Sequence, residues 1–214
     1  MDKQDIADLR REYAREELTR RSVQDDPFEQ FSMWFDEAMG ADLPDPSAMT
    51  LATANADGHP SARVVLLKGL TNEGLVFYTN YGSAKAHDLA ANPRASLLFF
   101  WPELERQVRI AGVVSKVSAA ESDEYFQSRP FESRVGAIAS AQSSVLTSRD
   151  ELEERYQRLL QEYEGKDVPR PETWGGYVLK PHTFEFWQGR PSRLHDRIRY
   201  RKDGDFWHVD RLSP

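Results

Sequence analysis

The chain has 214 residues, 39% of them hydrophobic, with five Trp, eight Tyr and eleven Phe. That is enough apolar and aromatic surface for one packed core, and it excludes a disordered chain. A net charge of −7 and a pI of about 5.3 argue against bulk nucleic-acid binding, which needs a basic footprint, and the lack of cysteine excludes disulfides, thiolate nucleophiles and cysteine-ligated metals.

Residues 3–20 carry Ile6, Leu9 and Tyr13 at helical spacing among many charges and read as an exposed amphipathic helix. Asp26-Pro27 opens a second helix whose Phe28, Phe31, Trp34, Phe35 and Ala38 form one wide core-facing stripe. Strands follow. Met49–Ala54 pairs with Ala62–Leu67 across a polar turn, and Leu75–Thr79 is the third strand. Gly69–Gly74 carries turn chemistry between Val64–Leu67 and Leu75–Tyr78, so those two runs also read as a hairpin. Ser83 is the candidate N-cap of a short helix stopped by Asn92-Pro93. Ala95–Trp101 and Gln107–Val117 are further strands.

Helices are expected over Ala119–Ser128 and Glu132–Ala141, on either side of Arg129-Pro130, and over Arg149–Glu164 with Ser148 as its cap. Leu152, Tyr156, Leu159, Leu160 and Tyr163 fall on the buried side of that last helix. Four strands close the chain: Trp174–Leu179, Thr183–Trp187, Arg197–Arg201 and Phe206–Asp210. The sum is an α+β chain, with roughly nine short, mostly antiparallel strands in a closed or split β-barrel and peripheral helices. A single domain over 1–214 is expected, with 1–25 a mobile N-terminal segment. The N-terminus lacks a signal-peptide core, and no apolar run approaches the roughly 20 residues of a membrane span, so no membrane is implied and a cytoplasmic protein is expected.

Several chemistries lack their motif. No dinucleotide-binding fingerprint, P-loop or nucleophile elbow occurs, and the five histidines are scattered, which points away from a metal. Three clusters remain. Arg63 and Lys68 bracket one strand, and Thr79, Ser83 and Lys85 follow another, ending at a helix start; cations, hydroxyls and helix N–H groups together suit a phosphate. Arg193, His195, Arg197, Arg199 and Arg201 crowd nine residues, and the last three share a strand face. That face implies a small anion, or else a salt-bridged strand exterior. Tyr125, Arg129 and Ser133 recur every four residues and could grip a second phosphate across Pro130. Gln107 at a strand start could bond a ring edge, and Trp187 at a strand end could pack on a flat ring.

Taken in order, RVVLLK (63–68), VFYTNYGSAKAHDL (76–89), ERQVRIAG (105–112), YFQSRP (125–130), AQSS (141–144), WGGY (174–177), EFWQG (185–189), RLHDR (193–197) and DRLSP (210–214) resemble the pyridoxine/pyridoxamine 5′-phosphate oxidase family. These are FMN flavoenzymes with a split-barrel fold. The resemblance implies FMN at a homodimer interface, and oxidation of pyridoxamine or pyridoxine 5′-phosphate by O2. It implies Arg63, Ser83 and Lys85 as flavin-phosphate ligands, with Val64, Val65, Leu66, Lys68, Tyr78 and Thr79 lining the cofactor. Gln107, Gln142, Ser143, Trp187 and Arg197 would contact the flavin from either chain. Lys68, Tyr125, Arg129 and Ser133 would hold the substrate phosphate. Arg193 and His195 would lie over the pyridine ring as catalytic residues, and Arg10 and Tyr13 in LRREY would cover the site. The family usually has an arginine where this chain has Ala84, which implies weaker cofactor retention. An alternative is a non-catalytic flavin or pyridoxal-phosphate binding module on the same fold.

Overall fold

The structure, a computed structural model, describes residues 17–214. The helix expected over 3–20, with Arg10 and Tyr13, therefore lies outside the described residues except for 17–20, which are not helical.

Local capping sets the helices. The Asp26 carboxylate accepts from the Phe28 N–H, Pro27 takes the first helical position, and α1 runs Pro27–Gly40. α2 is Ala84–Ala91. α3, Ala119–Ser128, begins with a full capping box between Ser118 and Glu121, and stops where Pro130 forbids a further turn. α4 is Phe131–Ala139, and α5 is Arg149–Tyr163 with Ser148 accepting from the Glu151 N–H.

The strands are β1 (Ala48–Ala54), β2 (Pro60–Leu66), β3 (Gly69–Thr71), β4 (Gly74–Asn80), β5 (Arg94–Trp101), β6 (Arg106–Lys116), β7 (Trp174–Gln188), β8 (Asp196–Asp203) and β9 (Phe206–Leu212). They form one sheet in the order β2-β1-β5-β6-β7-β4-β3, with β8 on β7 and β9 on β8. The α+β class and antiparallel strands match the expectation.

Two strand assignments are corrected. The hairpin expected between Val64–Leu67 and Leu75–Tyr78 does not form: β2 pairs with β1 instead. The hairpin is β3–β4, with Leu70 opposite Leu75, and the Lys68 N–H donates to Val76 O at 2.8 Å just before it. The second correction joins Trp174–Leu179 and Thr183–Trp187 into the single strand β7. Its first part pairs with β4 and its last part with β8. Pro181 falls between these two pairings.

The chain folds as two compact units. Among the described residues, the first comprises 17–49, Leu97–Ala111 and Pro181–Pro214. Here α1 lays its stripe on the sheet. Phe31 meets Phe99 with ring centroids 5.0 Å apart, and Trp34 meets Phe186 edge-on at 5.3 Å. Phe31, Phe99, Phe184 and Phe186 are fully buried, each contributing roughly 1.5–3 kcal/mol. The second unit comprises Thr50–Ser96 and Gly112–Lys180. Its helical part centres on Phe126, Val135, Val168 and Trp174, with the half-buried Tyr156, Leu159, Leu160 and Tyr163 of α5 packed against them.

Candidate active site

A cleft of about 780 Å³ lies within the second unit, in the size range of small-molecule sites. One wall is β2: Arg63, Val64, Val65, Leu66 and the following Lys68 line it. Tyr78, Thr79 and Asn80 at the end of β4 and Ala84 and Lys85 at the start of α2 form a second wall. Tyr125 and Arg129 at the end of α3, Ser133 on α4, and Gln142 and Ser143 beyond it complete the lining with Trp174. The break at Pro130 does not separate Tyr125, Arg129 and Ser133; all three face the same cleft.

At one place the cleft is a cluster of cations and oxygens. Lys85 is only 8% exposed, and its Nζ donates to Thr79 Oγ1 (3.1 Å), Gln142 Oε1 (3.2 Å) and Ser83 Oγ (3.3 Å). These partners are neutral. Burial first, then the charge of Arg63, pulls the Lys85 ammonium below its ordinary pKa. Arg63 is lowered too, by burial, against the pull of Asp88. Its Nη1 donates to Thr53 Oγ1 (2.7 Å) and Leu51 O (3.1 Å), and Asp88 stands 3.9 Å from Nη2. Two cations that disfavour each other, held mostly by neutral oxygens, form a site that an anion would relieve. The Ser83 side chain makes no cap bond to α2.

Elsewhere the cleft is aromatic. Tyr78 stacks on Tyr125 at 3.9 Å and on Trp174 at 5.5 Å, and the Arg129 guanidinium lies 4.7 Å over the Trp174 ring. Arg129 Nη1 is buried without a hydrogen-bond partner, and burial lowers the Arg129 pKa. The WGGY run explains how the stack fits. A Cβ on Gly175 would come within 2.3 Å of the Tyr81 hydroxyl, and one on Gly176 within 2.7 Å of the Tyr78 ring. The two glycines let both tyrosines come close to the β7 backbone.

Gln107, Trp187, Arg193, His195 and Arg197 belong to the first unit. Trp187 is opposite Arg197 in the β7–β8 pairing, and its ring lies 4.6 Å from that of His195. The His195 Nδ1 accepts from the Arg190 backbone N–H at 3.1 Å, which places a neutral imidazole's proton on Nε2. Burial and then the charge of Arg193 lower the His195 pKa, favouring that neutral form. Ser192 and Arg193 both have positive φ, 56° and 61°, so the turn holding Arg193 is strained. Gln107 follows Arg106, whose Nε donates to Gln188 Oε1 at 3.0 Å, while Gln188 Nε2 donates to the carbonyls of Leu104 and Glu105. This buried clamp ties the start of β6 to the end of β7.

On the basic strand face, Arg197 pairs with buried Glu185 at 2.8 Å, and Arg199 and Arg201 both pair with Asp210, the second of the two readings that the sequence left open. Arg199 and Arg201 are thus a salt-bridged exterior. Thr53, Asp88 and Trp174 were not singled out as site residues. Thr53 had a legible signal, as a hydroxyl where the β1 alternation calls for an apolar side chain. Among the described residues no cluster of His, Asp or Glu could hold a metal, and no helix is long and apolar enough to cross a membrane.

Two family models match the chain. One, described as pyridoxamine 5′-phosphate oxidase, covers residues 35–162; the other, described as the pyridoxine 5′-phosphate oxidase C-terminal dimerisation region, covers 174–214. The pyridoxine/pyridoxamine 5′-phosphate oxidase of Bordetella pertussis (strain Tohama I) is 61% identical over 210 residues, covering 98% of this chain and 99% of that protein. Among solved structures, PhzG from Burkholderia lata 383 in complex with tetrahydrophenazine-1-carboxylic acid has a TM-score of 0.87 at 33% identity, covering 92% of this chain and 98% of that one. A pyridoxamine 5′-phosphate oxidase-related, FMN binding protein from Nostoc punctiforme PCC 73102 has a TM-score of 0.71 at 16% identity, covering 90% of this chain and 100% of that one, and shares the fold. These neighbours are split-barrel proteins, as the sequence led us to expect.

Proposed function

The chain belongs to the pyridoxamine 5′-phosphate oxidase family, and from that premise we propose that it oxidises pyridoxamine and pyridoxine 5′-phosphates to pyridoxal 5′-phosphate. The acceptor is O2, through bound FMN, with release of hydrogen peroxide, and of ammonia from the amine. The observation that carries this reading is the cleft, whose lining holds both the Arg63–Lys85 cluster and Arg129, with its unpaired Nη1, beside a stack of flat rings. Two phosphate esters on two planar ring systems are the ligands that such a lining suits.

The residues fit FMN. Arg63, Lys85 and Ser83 would hold its phosphate, since an anion there relieves the repulsion between the buried Lys85 and the half-buried Arg63. When bound, FMN supplies a two-electron acceptor for the hydride leaving the substrate carbon. The rest falls to this chain's side chains. Arg129, Lys68, Tyr125 and Ser133 hold the substrate phosphate, so the reacting carbon is held in place rather than found by collision. A neutral His195 with its proton on Nε2 donates a hydrogen bond to the pyridine-ring oxygen. Arg193 orients the ring and stabilises developing charge. We place the cofactor at a homodimer interface. The support is the match of 174–214 to a dimerisation region and the gathering of Trp187, His195 and Arg197 in one unit.

The PhzG neighbour favours a second reading, an oxidase acting on a carboxylated tricycle, in which Arg129 and Lys68 would meet a carboxylate. The non-catalytic module is a third, with binding but no turnover. Peroxide and pyridoxal formation by the FMN-loaded protein should be compared on pyridoxamine 5′-phosphate, unphosphorylated pyridoxamine and tetrahydrophenazine-1-carboxylic acid. Turnover on the phosphate ester, and little on the other two, is expected. Turnover on the tricycle alone supports the second reading, and none on any supports the third.

A further inference from the structure

β1 buries every second residue, Met49, Leu51 and Thr53, and Thr53 is the polar member of that row at 3% exposure. Its hydroxyl bonds on both sides. Oγ1 accepts from Arg63 Nη1 at 2.7 Å and donates to Asp88 Oδ2 at 2.6 Å. The polarity of this chain is fixed, because a guanidinium only donates and a hydroxyl has one proton to give. Three elements meet at that oxygen: β1 through Thr53, β2 through Arg63, and α2 through Asp88. Arg63 Nη1 makes a second bond to Leu51 O at 3.1 Å, so one edge of the guanidinium is anchored to β1. Asp88, 3.9 Å from Arg63 Nη2, acts on the charge without a direct hydrogen bond. Thr53 and Asp88 are not needed to line the cleft; Arg63 does that.

We propose that Thr53 is a positioning residue that fixes the Arg63 guanidinium for the phosphate of the cofactor, and so sets the preference for FMN over riboflavin. The inference rests on the reading that Arg63 and Lys85 hold that phosphate. A long, otherwise mobile side chain is held in its bound direction before the ligand arrives, and the saved ordering appears as affinity for the phosphate alone. Asp88 pulls the other way. It orients the Thr53 hydroxyl, but its charge competes with a phosphate for Arg63.

The test is titration of the flavin-stripped full chain with FMN and with riboflavin, read by flavin fluorescence. The wild type should bind FMN far more tightly than riboflavin. Thr53→Val, of the same shape without the hydroxyl, should lower that ratio about tenfold, as expected for one hydrogen bond to a charged group, while riboflavin binding holds. Thr53→Ser should restore the ratio. Asp88→Asn, which still accepts from Thr53 but carries no charge, should raise it. A Thr53→Val ratio equal to wild type, or an equal loss of both ligands, overturns the positioning role. A wild-type ratio near one removes the phosphate reading itself, and this inference with it.

Discussion

Replacing Lys85 by Met separates binding from stability, and the structure fixes both signs. Lys85 is 8% exposed, and its three partners are neutral oxygens at 3.1–3.3 Å. Its pKa lies below the ordinary 10.5 because of burial and of Arg63. Below 10.5 the unfolded chain therefore holds this proton more firmly than the folded chain does. Protonated Lys85 opposes folding at neutral pH, and that cost is relieved as pH rises from the lowered pKa towards 10.5. Met fills similar space without the charge, and Thr79 Oγ1 keeps its own bond to Gln142 Oε1 at 3.0 Å. The flavin-free variant should therefore melt no lower than wild type at pH 7, and any gain should shrink towards pH 10. The bound state behaves oppositely. A hydrogen bond to a charged group contributes about 1.5–3 kcal/mol, or roughly a 10- to 150-fold change in affinity. FMN affinity should fall by that factor, measured by fluorescence titration beside thermal melts. FMN affinity within twofold of wild type, or a flavin-free melting point lowered at pH 7, would refute the reasoning.

Arg129→Met removes the buried guanidinium nitrogen that lacks a partner. It should raise KM for pyridoxamine 5′-phosphate by about 10- to 150-fold, with FMN affinity unchanged, in steady-state assays at saturating FMN. Ala84 lines the cleft at the first position of α2, so Ala84→Arg should tighten FMN binding in the same titration; no tightening counts against a phosphate role for that position. Arg193→Met should cut turnover while FMN content, read from the absorbance of the purified protein, stays at the wild-type level; equal activity removes Arg193 from the mechanism.

Helix positions were legible because their signals are local. Asp26-Pro27 and Ser148 each announce a start within four residues with the cap bond present, and Ser83 stands at the cap position of α2 without a side-chain cap bond. Pairing was less legible because it depends on distant partners. Val64–Leu67 had two possible neighbours in sequence, and only the fold shows that β1 takes them, leaving Gly69–Thr71 to turn back on β4. The strands expected over Trp174–Leu179 and Thr183–Trp187 are one, and its partner changes from β4 to β8 between them. The arginine row of β8 left an anion site and a salt-bridged exterior both open, because its acids, Glu185 and Asp210, come from flanking strands. Spacing brought out Arg63, Lys85, Tyr125 and Arg129, but not Thr53 and Asp88. Those two touch Arg63 rather than the cleft's contents, and one sequence does not show what lies behind a residue.

The central claim is that this cleft brings a phosphorylated pyridine and FMN together for hydride removal. Anaerobic addition of pyridoxamine 5′-phosphate to the FMN-loaded protein tests it most directly. The yellow absorbance should bleach, with one pyridoxal 5′-phosphate formed per flavin, and return on admitting air. Saturable binding with the colour unchanged would contradict the account.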